Sequence, residues 1–234
     1  MPGSRRLDRF VSECLELSRS AAGKEIRAGA AGVNGMPIRD PAVKVSPGDL
    51  VSFRDLELTV FDQLYFMIHK PAGYVCANDD PAHPVIMSLL SDEWGAGQCH
   101  CVGRLDIDTT GLLLVTTDGQ WSHRITSPRH HTGKIYRVTL EHDPSPDLEP
   151  MLRQGILLQG EKRPTAPAEV SWVADRVLDL TIHEGRYHQI KRMIHAAGNE
   201  VAALHRLAIG DLSLDPALAP GEHRALTPEE IALF

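Results

Sequence analysis

Apolar residues near the start of the chain recur with the spacing of a helix that buries one face. Those from Leu7 to Leu15 stand at positions i, i+3, i+4, i+7 and i+8, which predicts an amphipathic helix over residues 6–16. Ser18 is a suitable N-cap for a second helix that ends near Arg27. The chain therefore begins with two short helices that carry basic residues.

Beyond these helices the pattern changes to short segments joined by turn residues. Val33-Asn34-Gly35 predicts a tight turn, and Leu50–Phe53 alternates apolar and polar positions as a half-buried strand does. Residues 54–63 have no clear period. We therefore predict a small α+β domain over residues 1–57, followed by a linker over residues 58–64.

From residue 65 onward the chain is dominated by strand patterns. Strands are predicted over residues 65–69, 112–117 (ending at an Asp118-Gly119 turn), 135–141, 168–173 and 177–183, with an extended segment over 200–214. Helices are predicted over residues 147–154 and 187–197, and a short one after the N-cap Thr227. Many strands with few long helices favour an α+β fold with a mainly antiparallel sheet, which we assign to residues 65–234.

Composition places the chain among ordinary globular proteins. It has 234 residues, 42% of them apolar and 24% charged. No apolar run approaches the roughly 18 residues of a membrane span, and the charged start lacks the apolar core of a signal peptide. Four irregularly spaced cysteines do not indicate a disulfide framework. We expect a soluble, cytoplasmic protein, and a monomer.

The charge distribution matters more than its sum. The net charge of −7 argues against a simple nucleic-acid binder, yet residues 120–137 carry four basic side chains and no acidic one. Residues 1–44 and 183–206 are also locally positive. These segments can form one anion-binding face, although scattered solvated charges remain an alternative.

A polar loop bounded by Gly103 and Gly111 precedes an apolar strand and carries Asp106. A carboxylate held on such a loop can serve as a nucleophile or general base, and Arg104 is within reach of a phosphate. In the alternative interpretation, Asp106 and Asp108 only close the turn through hydrogen bonds to the backbone.

A second polar cluster lies at the start of the helix predicted over residues 187–197. Arg186 and Gln189 stand near its N-terminus, where backbone amides favour anions, and Lys191 or Arg192 can pair with a carboxylate. A solvated basic helix face is the alternative. Tyr136 can stack on an extruded base or simply pack within the sheet.

Motifs for metals and cofactors are lacking. The sequence contains no CxxC pair, no HExxH, no zinc-deaminase pattern and no GxxxxGK[ST] phosphate loop. We therefore expect neither a metal nor a cofactor, so any chemistry falls to side chains alone.

Taken together, these motifs resemble the small-subunit branch of the RNA pseudouridine synthases along essentially the whole chain. The segment from Gly103 to Gly111 and its continuation to Pro128 resemble the family signature, and matching motifs follow in order at residues 69–75, 134–136, 185–193 and 204–210. The N-terminal domain resembles an S4-like RNA-binding domain through residues 6–10, 18–19, 26–27, 33–35 and 48–49. The resemblance implies a small S4-like domain followed by a larger, mainly antiparallel mixed-sheet catalytic domain.

The resemblance also implies a cofactor-free isomerisation of a flipped uridine to pseudouridine. Asp106 would attack ribose C1′ or remove the C2′ proton, and Lys191 would keep that carboxylate ionised and aimed. Tyr136 would stack on the uracil and help to move the C5 proton, while Ile190 would pack on the base. Arg104 would fill the space that the base leaves, or bind its phosphate.

The implied partner is 16S ribosomal RNA, modified at one uridine (uridine 516), as a folded or protein-bound small-subunit assembly intermediate. The implied RNA contacts are Arg6, Arg9, Arg19, Arg27, Arg129, Arg186 and Gln189. Residues 29–32 are neutral where S4-like domains usually carry a basic residue.

Three alternatives stay open. A synthase of the same family can act on large-subunit RNA, and a ribosome-assembly factor can bind RNA without catalysis. A glycoside hydrolase would use Asp106 and Asp108 as its carboxylate pair.

Overall fold

The computed structural model describes residues 4–15, 17–46, 48–59, 63–90, 98–127 and 130–234. The chain divides into two compact units, Met1–Leu64 and Tyr65–Phe234. Within the described ranges, no helix is both long and apolar enough to span a bilayer.

The first unit combines two helices with short strands. Its elements are β1 (Arg5–Arg6), α1 (Leu7–Cys14), α2 (Arg19–Arg27), β2 (Ala31–Val33), β3 (Met36–Ile38), β4 (Lys44–Val45), β5 (Leu50–Phe53) and β6 (Leu56–Thr59). Strand β1 pairs with β4, and the other four form a sheet in the order β3-β2-β5-β6. The helices pack their apolar faces, including Leu7, Phe10 and Ile26, against Val51 and Phe53 of β5.

Local signals in this unit act as the sequence indicated. The Ser18 hydroxyl accepts a hydrogen bond from the amide of Ala21 at 3.1 Å, which caps α2. Asn34 and Gly35 take positive φ values of 51° and 79° between β2 and β3. Strand β6, however, lies in the stretch without a clear sequence period. Its pairing with β5, and not its local sequence, makes this segment a strand.

The second unit is built on one large sheet. Its strands are β7 (Tyr65–Lys70), β8 (His100–Cys101), β9 (Thr110–Thr116), β10 (Lys134–Leu140), β11 (Glu169–Ala174), β12 (Val177–Ile182), β13 (Val201–Ile209), β14 (Leu212–Ser213) and β15 (His223–Ala225). Its helices are α3 (Gly119–Thr126), α4 (Leu148–Gln154), α5 (Gln189–Ala196) and α6 (Pro228–Ile231), with a 3₁₀ turn at Ile86–Leu90.

The sheet is mixed but mainly antiparallel, as the sequence predicted. Within the described residues its order is β11-β12-β10-β13-β9-β7-β15, with β14 added to β13 and β8 to β9. The pair β9–β13 is parallel, and the other pairs are antiparallel. The α+β class with a small N-terminal and a larger C-terminal unit is therefore confirmed.

The turn predicted at Asp118-Gly119 is wrong, because Asp118 instead begins a helix. Its carboxylate accepts hydrogen bonds from the amides of Gln120 at 2.9 Å and Trp121 at 3.1 Å, and one from the Tyr65 hydroxyl at 2.9 Å. Aspartate favours both turns and helix N-caps, so the local sequence was ambiguous. The burial of Trp121 against the sheet decides in favour of α3.

Gly111 of β9 lies directly opposite Arg206 of β13 with no room for a side chain. Its φ is +105°, and a Cβ there would lie 2.3 Å from the carbonyl oxygen of Arg206. We expect Gly111→Ala to lower the free energy of unfolding by about 3 kcal/mol or more, because strain and clash combine. Gly221→Ala, with φ +94° and open space around the Cβ, should cost only about 1 kcal/mol.

Urea unfolding followed by tryptophan fluorescence measures this difference, because all three tryptophans lie beyond residue 64. Equal losses for Gly111→Ala and Gly221→Ala would show that the close approach to β13 is not limiting.

Candidate active site

A cavity of about 590 Å³ opens in the second unit beside the parallel strand pair. It is lined by the loop before β9, by β10 and β13, and by the segment that leads into α5. Arg104, Asp106, Tyr136, Ile190 and Lys191 all line it. The fold thus brings the five residues to which the sequence assigned chemistry or base contact into one place.

Lys70 supports the loop that carries Asp106 by donating hydrogen bonds to its carbonyls. The Lys70 ammonium is fully buried and donates hydrogen bonds to the carbonyls of Ile107 at 3.2 Å and Thr109 at 2.8 Å. Burial lowers the pKa of Lys70. The hydrogen bonds from its ammonium go to the carbonyls of the loop that carries Asp106. The sequence marked Lys70 as part of a motif but did not reveal this role.

Lys191 joins both loop carboxylates. Its Nζ lies 3.0 Å from Oδ2 of Asp106 and 2.6 Å from Oδ1 of Asp108. Arg192 points elsewhere and pairs with Glu161 at 3.2 Å. Of the two basic residues that the sequence left open, Lys191 therefore contacts the carboxylate.

These contacts set the charge of the pair. Burial alone would lower the pKa of Lys191, but its hydrogen bonds to Asp108 and Asp106 raise it overall. For Asp108, burial is the largest single influence and acts to raise the pKa, but the hydrogen bond and charge of Lys191, with smaller contributions, together lower it. The ammonium is therefore charged, and Asp108 ionised, throughout the neutral range.

His188 approaches the other oxygen of Asp106. It takes a left-handed backbone conformation, with φ 47° and ψ 36°, immediately before α5, and its Nε2 lies 3.4 Å from Oδ1 of Asp106. A non-glycine residue in this conformation is uncommon, although histidine is among the residues that tolerate it. No local sequence pattern singles out His188, because its side-chain direction depends on this backbone geometry.

Tyr136 forms a wall of the cavity and is almost fully buried. Arg206 donates a hydrogen bond from Nη1 to the Tyr136 hydroxyl at 3.4 Å and another from Nε to the carbonyl of Leu112 at 2.7 Å. Its guanidinium carbon lies 5.9 Å from the centre of the Tyr136 ring. Arg206 thus positions the tyrosine. Local sequence does not reveal this contact, because residues 136 and 206 meet only across β10 and β13.

One nitrogen of the Arg206 guanidinium has no hydrogen-bond partner among the described residues. This atom, Nη2, is buried. A buried unpaired donor on a cavity wall is costly, and such groups in native proteins call for an explanation. Ile190 lies nearby, 4% exposed, and supplies an apolar surface.

Arg186 and Gln189 line the cavity but are engaged in a brace. The Arg186 guanidinium donates to the carbonyls of Arg163 at 2.9 Å and Pro164 at 2.7 Å, and Gln189 donates to Glu184 at 2.8 Å. Arg104, in contrast, is exposed at the rim. Arg129 lies outside the described residues.

The arginines selected in the first unit form partly exposed ion pairs. Asp8 lies 2.7 Å from Arg6 and 3.4 Å from Arg19, and Arg9 lies 2.6 Å from Glu13. The Arg9–Glu13 pair is the more exposed, and such pairs contribute little stability, so a phosphate can replace the Glu13 carboxylate at small cost. Asp8 is buried, so its contacts with Arg6 and Arg19 are less easily given up. Arg27 is exposed on α2.

Two cysteines lie next to the Asp106 loop. Cys76 lines the cavity, and its Sγ accepts a hydrogen bond from the amide of Leu105 at 3.4 Å. Its hydrogen bond with the Cys101 thiol lowers the pKa of Cys76 to about 6, against the effect of burial. The same hydrogen bond raises the pKa of Cys101.

We therefore expect iodoacetamide to alkylate Cys76 with a rate that rises through about pH 6 and then levels off. The thiolate is the reactive form, and a lowered pKa makes it abundant at neutral pH. Peptide mass spectrometry across pH 5–9 measures the rate. Cys101→Ala should shift the midpoint upward, whereas a native rate that keeps climbing beyond pH 8 would contradict the assignment.

Comparison with known proteins agrees with this architecture. Residues 64–196 match the family model described as RNA pseudouridylate synthase, and residues 5–51 match the S4 domain. The chain therefore belongs to the RNA pseudouridylate synthase family, whose members are isomerases. The resemblance seen in the sequence motifs is confirmed.

Relatives match along nearly the full length. The ribosomal small subunit pseudouridine synthase A of Yersinia pestis is 50% identical over 97% of each chain, and that of Haemophilus influenzae is 49% identical over 97% of each. A crystal structure of a pseudouridylate synthase, 49% identical, superposes with a TM-score of 0.71 over 98% of this chain and 99% of the other.

Proposed function

We propose that this enzyme isomerises one uridine of 16S ribosomal RNA to pseudouridine, with Asp106 as the catalytic carboxylate. The observation that carries this proposal is the contact between Asp106 and Lys191, 3.0 Å apart, in a cavity that Tyr136 also lines. The names of the relatives support the small-subunit substrate. We propose that the site is uridine 516 and that the enzyme acts as a cytoplasmic monomer.

The carboxylate begins the reaction after the uridine has flipped into the cavity. Asp106 either attacks ribose C1′ or removes the proton from C2′, and both routes break the bond between C1′ and uracil N1. The freed uracil turns so that C5 bonds to C1′, which breaks the Asp106–C1′ ester bond in the first route and returns the proton from Asp106 to C2′ in the second. The C5 proton then passes to solvent, and N1 takes up a proton, so the atoms balance. Product and substrate are isomers, so no oxidant, reductant or cofactor is consumed.

The cation beside Asp106 serves this step in two ways. Lys191 holds one oxygen of the carboxylate in place at 3.0 Å and puts a positive charge beside the point where the reaction begins. His188 contacts the second oxygen, so both oxygens of Asp106 have a defined position. A preoriented charge of this kind costs no reorganisation when the bond breaks.

The flipped base lies between aromatic and aliphatic surfaces in this proposal. Tyr136 stacks on one face of the uracil and Ile190 packs near the other, since both line the cavity. Arg206 holds the Tyr136 hydroxyl and so restrains the ring. Arg104, exposed at the rim, binds the phosphate of the flipped nucleotide or fills the space that the base left.

The remaining RNA contacts come from the basic residues of both units. The S4 domain binds RNA phosphates through four arginines, Arg6, Arg9, Arg19 and Arg27. Arg129 of the second unit adds a further RNA contact. The polar groups of Arg186 and Gln189 already form hydrogen bonds within the protein. These two residues therefore shape the cavity wall, and their contacts with RNA are weaker than those of the other RNA-binding residues. The net charge of −7 suits recognition of a folded or protein-bound assembly intermediate over binding to any RNA.

Tritium release from ribosomal RNA labelled at uracil C5 tests this function. Native protein should release about one equivalent from small-subunit RNA or its assembly intermediate, and none from large-subunit RNA. Release from large-subunit RNA alone would keep the chemistry and change the substrate. Tight RNA binding without release from either would favour a non-catalytic assembly factor.

A further inference from the structure

Tyr187 is strongly exposed at the mouth of the catalytic cavity. Its side chain is 74% exposed, although it lines the cavity next to His188. The residues around it in sequence, from His183 to Gln189, are otherwise polar or glycine. A single exposed ring in a polar setting differs from the contiguous apolar patch that a protein partner would require.

This ring is held in a fixed orientation. Tyr187 stacks on the imidazole of His188, with ring centres 3.8 Å apart and an angle of 18° between the planes. His188 is in turn held by its left-handed backbone and by its contact with Asp106. One face of the tyrosine ring is therefore backed by a second ring, and its high exposure leaves the other face open.

We propose that Tyr187 is a stacking platform for a nucleobase adjacent to the uridine that enters the cavity; this inference rests on the proposed function. Flipping a nucleotide removes the stacking partner of its neighbours in the strand. A rigid aromatic face at the cavity mouth replaces that lost contact, and stacking on a base requires no particular sequence. The stacked pair thus links binding of the neighbouring base to the carboxylate through His188.

Kinetics of full-length variants test the platform on C5-tritiated small-subunit RNA. Tyr187→Ala should lower kcat/KM by about 10- to 100-fold, mainly through KM, as expected for the loss of one stacked base. Tyr187→Phe keeps the ring and should remain within about threefold of native, whereas Tyr187→Leu should resemble the alanine variant. Trp172→Ala is the matched control, since Trp172 is an exposed aromatic residue of β11 that does not line the cavity.

Removing a neighbouring base from the RNA, combined with Tyr187→Ala, forms a double-mutant cycle. Ligated RNA that lacks the base 5′ or 3′ of the modified uridine should slow the native enzyme as much as Tyr187→Ala does. On one of these RNAs, Tyr187→Ala should add no further loss, because the partner base is already absent. Fully additive losses on both RNAs, or equal effects of Tyr187→Phe and Tyr187→Ala, would overturn the inference.

A binding measurement separates this inference from the proposed chemistry. Asp106→Asn protein is mixed with RNA that carries 2-aminopurine at the same neighbouring positions. The fluorescence should be quenched at one position with Tyr187 present and restored in the Asp106→Asn/Tyr187→Ala double variant. Tyr187-dependent quenching without turnover by native protein would remove the proposed function and keep the platform, while unchanged fluorescence at both positions would remove the platform.

Discussion

Replacing Asp106 by Asn is expected to reduce kcat for pseudouridine formation by about 10⁴-fold or more, measured by tritium release. The amide has nearly the same shape, but it can neither attack C1′ nor accept a proton from C2′. Removal of the central group of a catalytic set produces losses of this size in enzymes. RNA affinity should change by less than about threefold, because the charge lost is already paired with Lys191.

Asp108 provides a matched control for this experiment. It contacts the same Lys191 ammonium, at 2.6 Å, but its side chain is 66% exposed compared with 26% for Asp106. We expect Asp108→Asn to lower kcat by no more than about tenfold, through a less constrained Lys191. Equal losses for the two substitutions would instead indicate that both carboxylates act in the reaction, as in the paired-carboxylate alternative.

Replacing Lys191 by Met should lower kcat by about 10²- to 10³-fold while leaving the fold intact. Methionine matches the length of the side chain but leaves Asp106 and Asp108 without their shared cation. The loss of one preorganised charge partner is worth about this factor. Rapid-quench measurement of a single turnover isolates the chemical step, and circular dichroism checks the fold.

The pH dependence follows from the direction of the Lys191 shift. Burial acts to lower its pKa, but the hydrogen bonds and negative charges of Asp108 and Asp106 together raise it above the ordinary value for lysine. The contribution of the cation is therefore fully present at neutral pH and is lost only as pH rises through that raised value. Native kcat should thus show no decline from Lys191 between pH 7 and about pH 10.

Arg192 supplies the control for this second prediction. It follows Lys191 directly but pairs with Glu161, so Arg192→Met should leave kcat within about threefold of native. Lys191→Arg keeps the positive charge but places it on a larger, planar group, so its kcat should lie between that of Lys191→Met and that of the native enzyme. If Arg192→Met proved as harmful as Lys191→Met, the effect would reflect helix α5 as a whole.

Local sequence patterns determined much of this molecule. The helical spacing from Leu7, the Ser18 N-cap and the strand alternation from residue 65 onward each depend on neighbours in the chain, so they can be read without a structure. The motif around Asp106 identified the family, because its residue types are specific over a long segment. Composition and motifs also led to the expectation of a cofactor-free side-chain mechanism.

Tertiary structure decided which side chains meet. Asp118 could begin a turn or a helix, and the burial of Trp121 selected the helix. Lys191 and Arg192 were equivalent in sequence, and the direction of each side chain on α5 separated them. Such choices depend on packing between distant segments, which local periodicity does not contain.

The residues that hold the reactive groups in place also depend on tertiary structure. Asp106 and Tyr136 stand out in the sequence, whereas Lys70, His188 and Arg206 reach the site only through contacts with distant residues or an unusual backbone angle. The parallel pairing of β9 with β13 brings Arg206 opposite Gly111, and the pairing of β10 with β13 brings it beside Tyr136. The sequence by itself determined the class of enzyme and the candidate reactive groups. The sheet determined how those groups are held, because strand order sets distances between residues far apart in the chain.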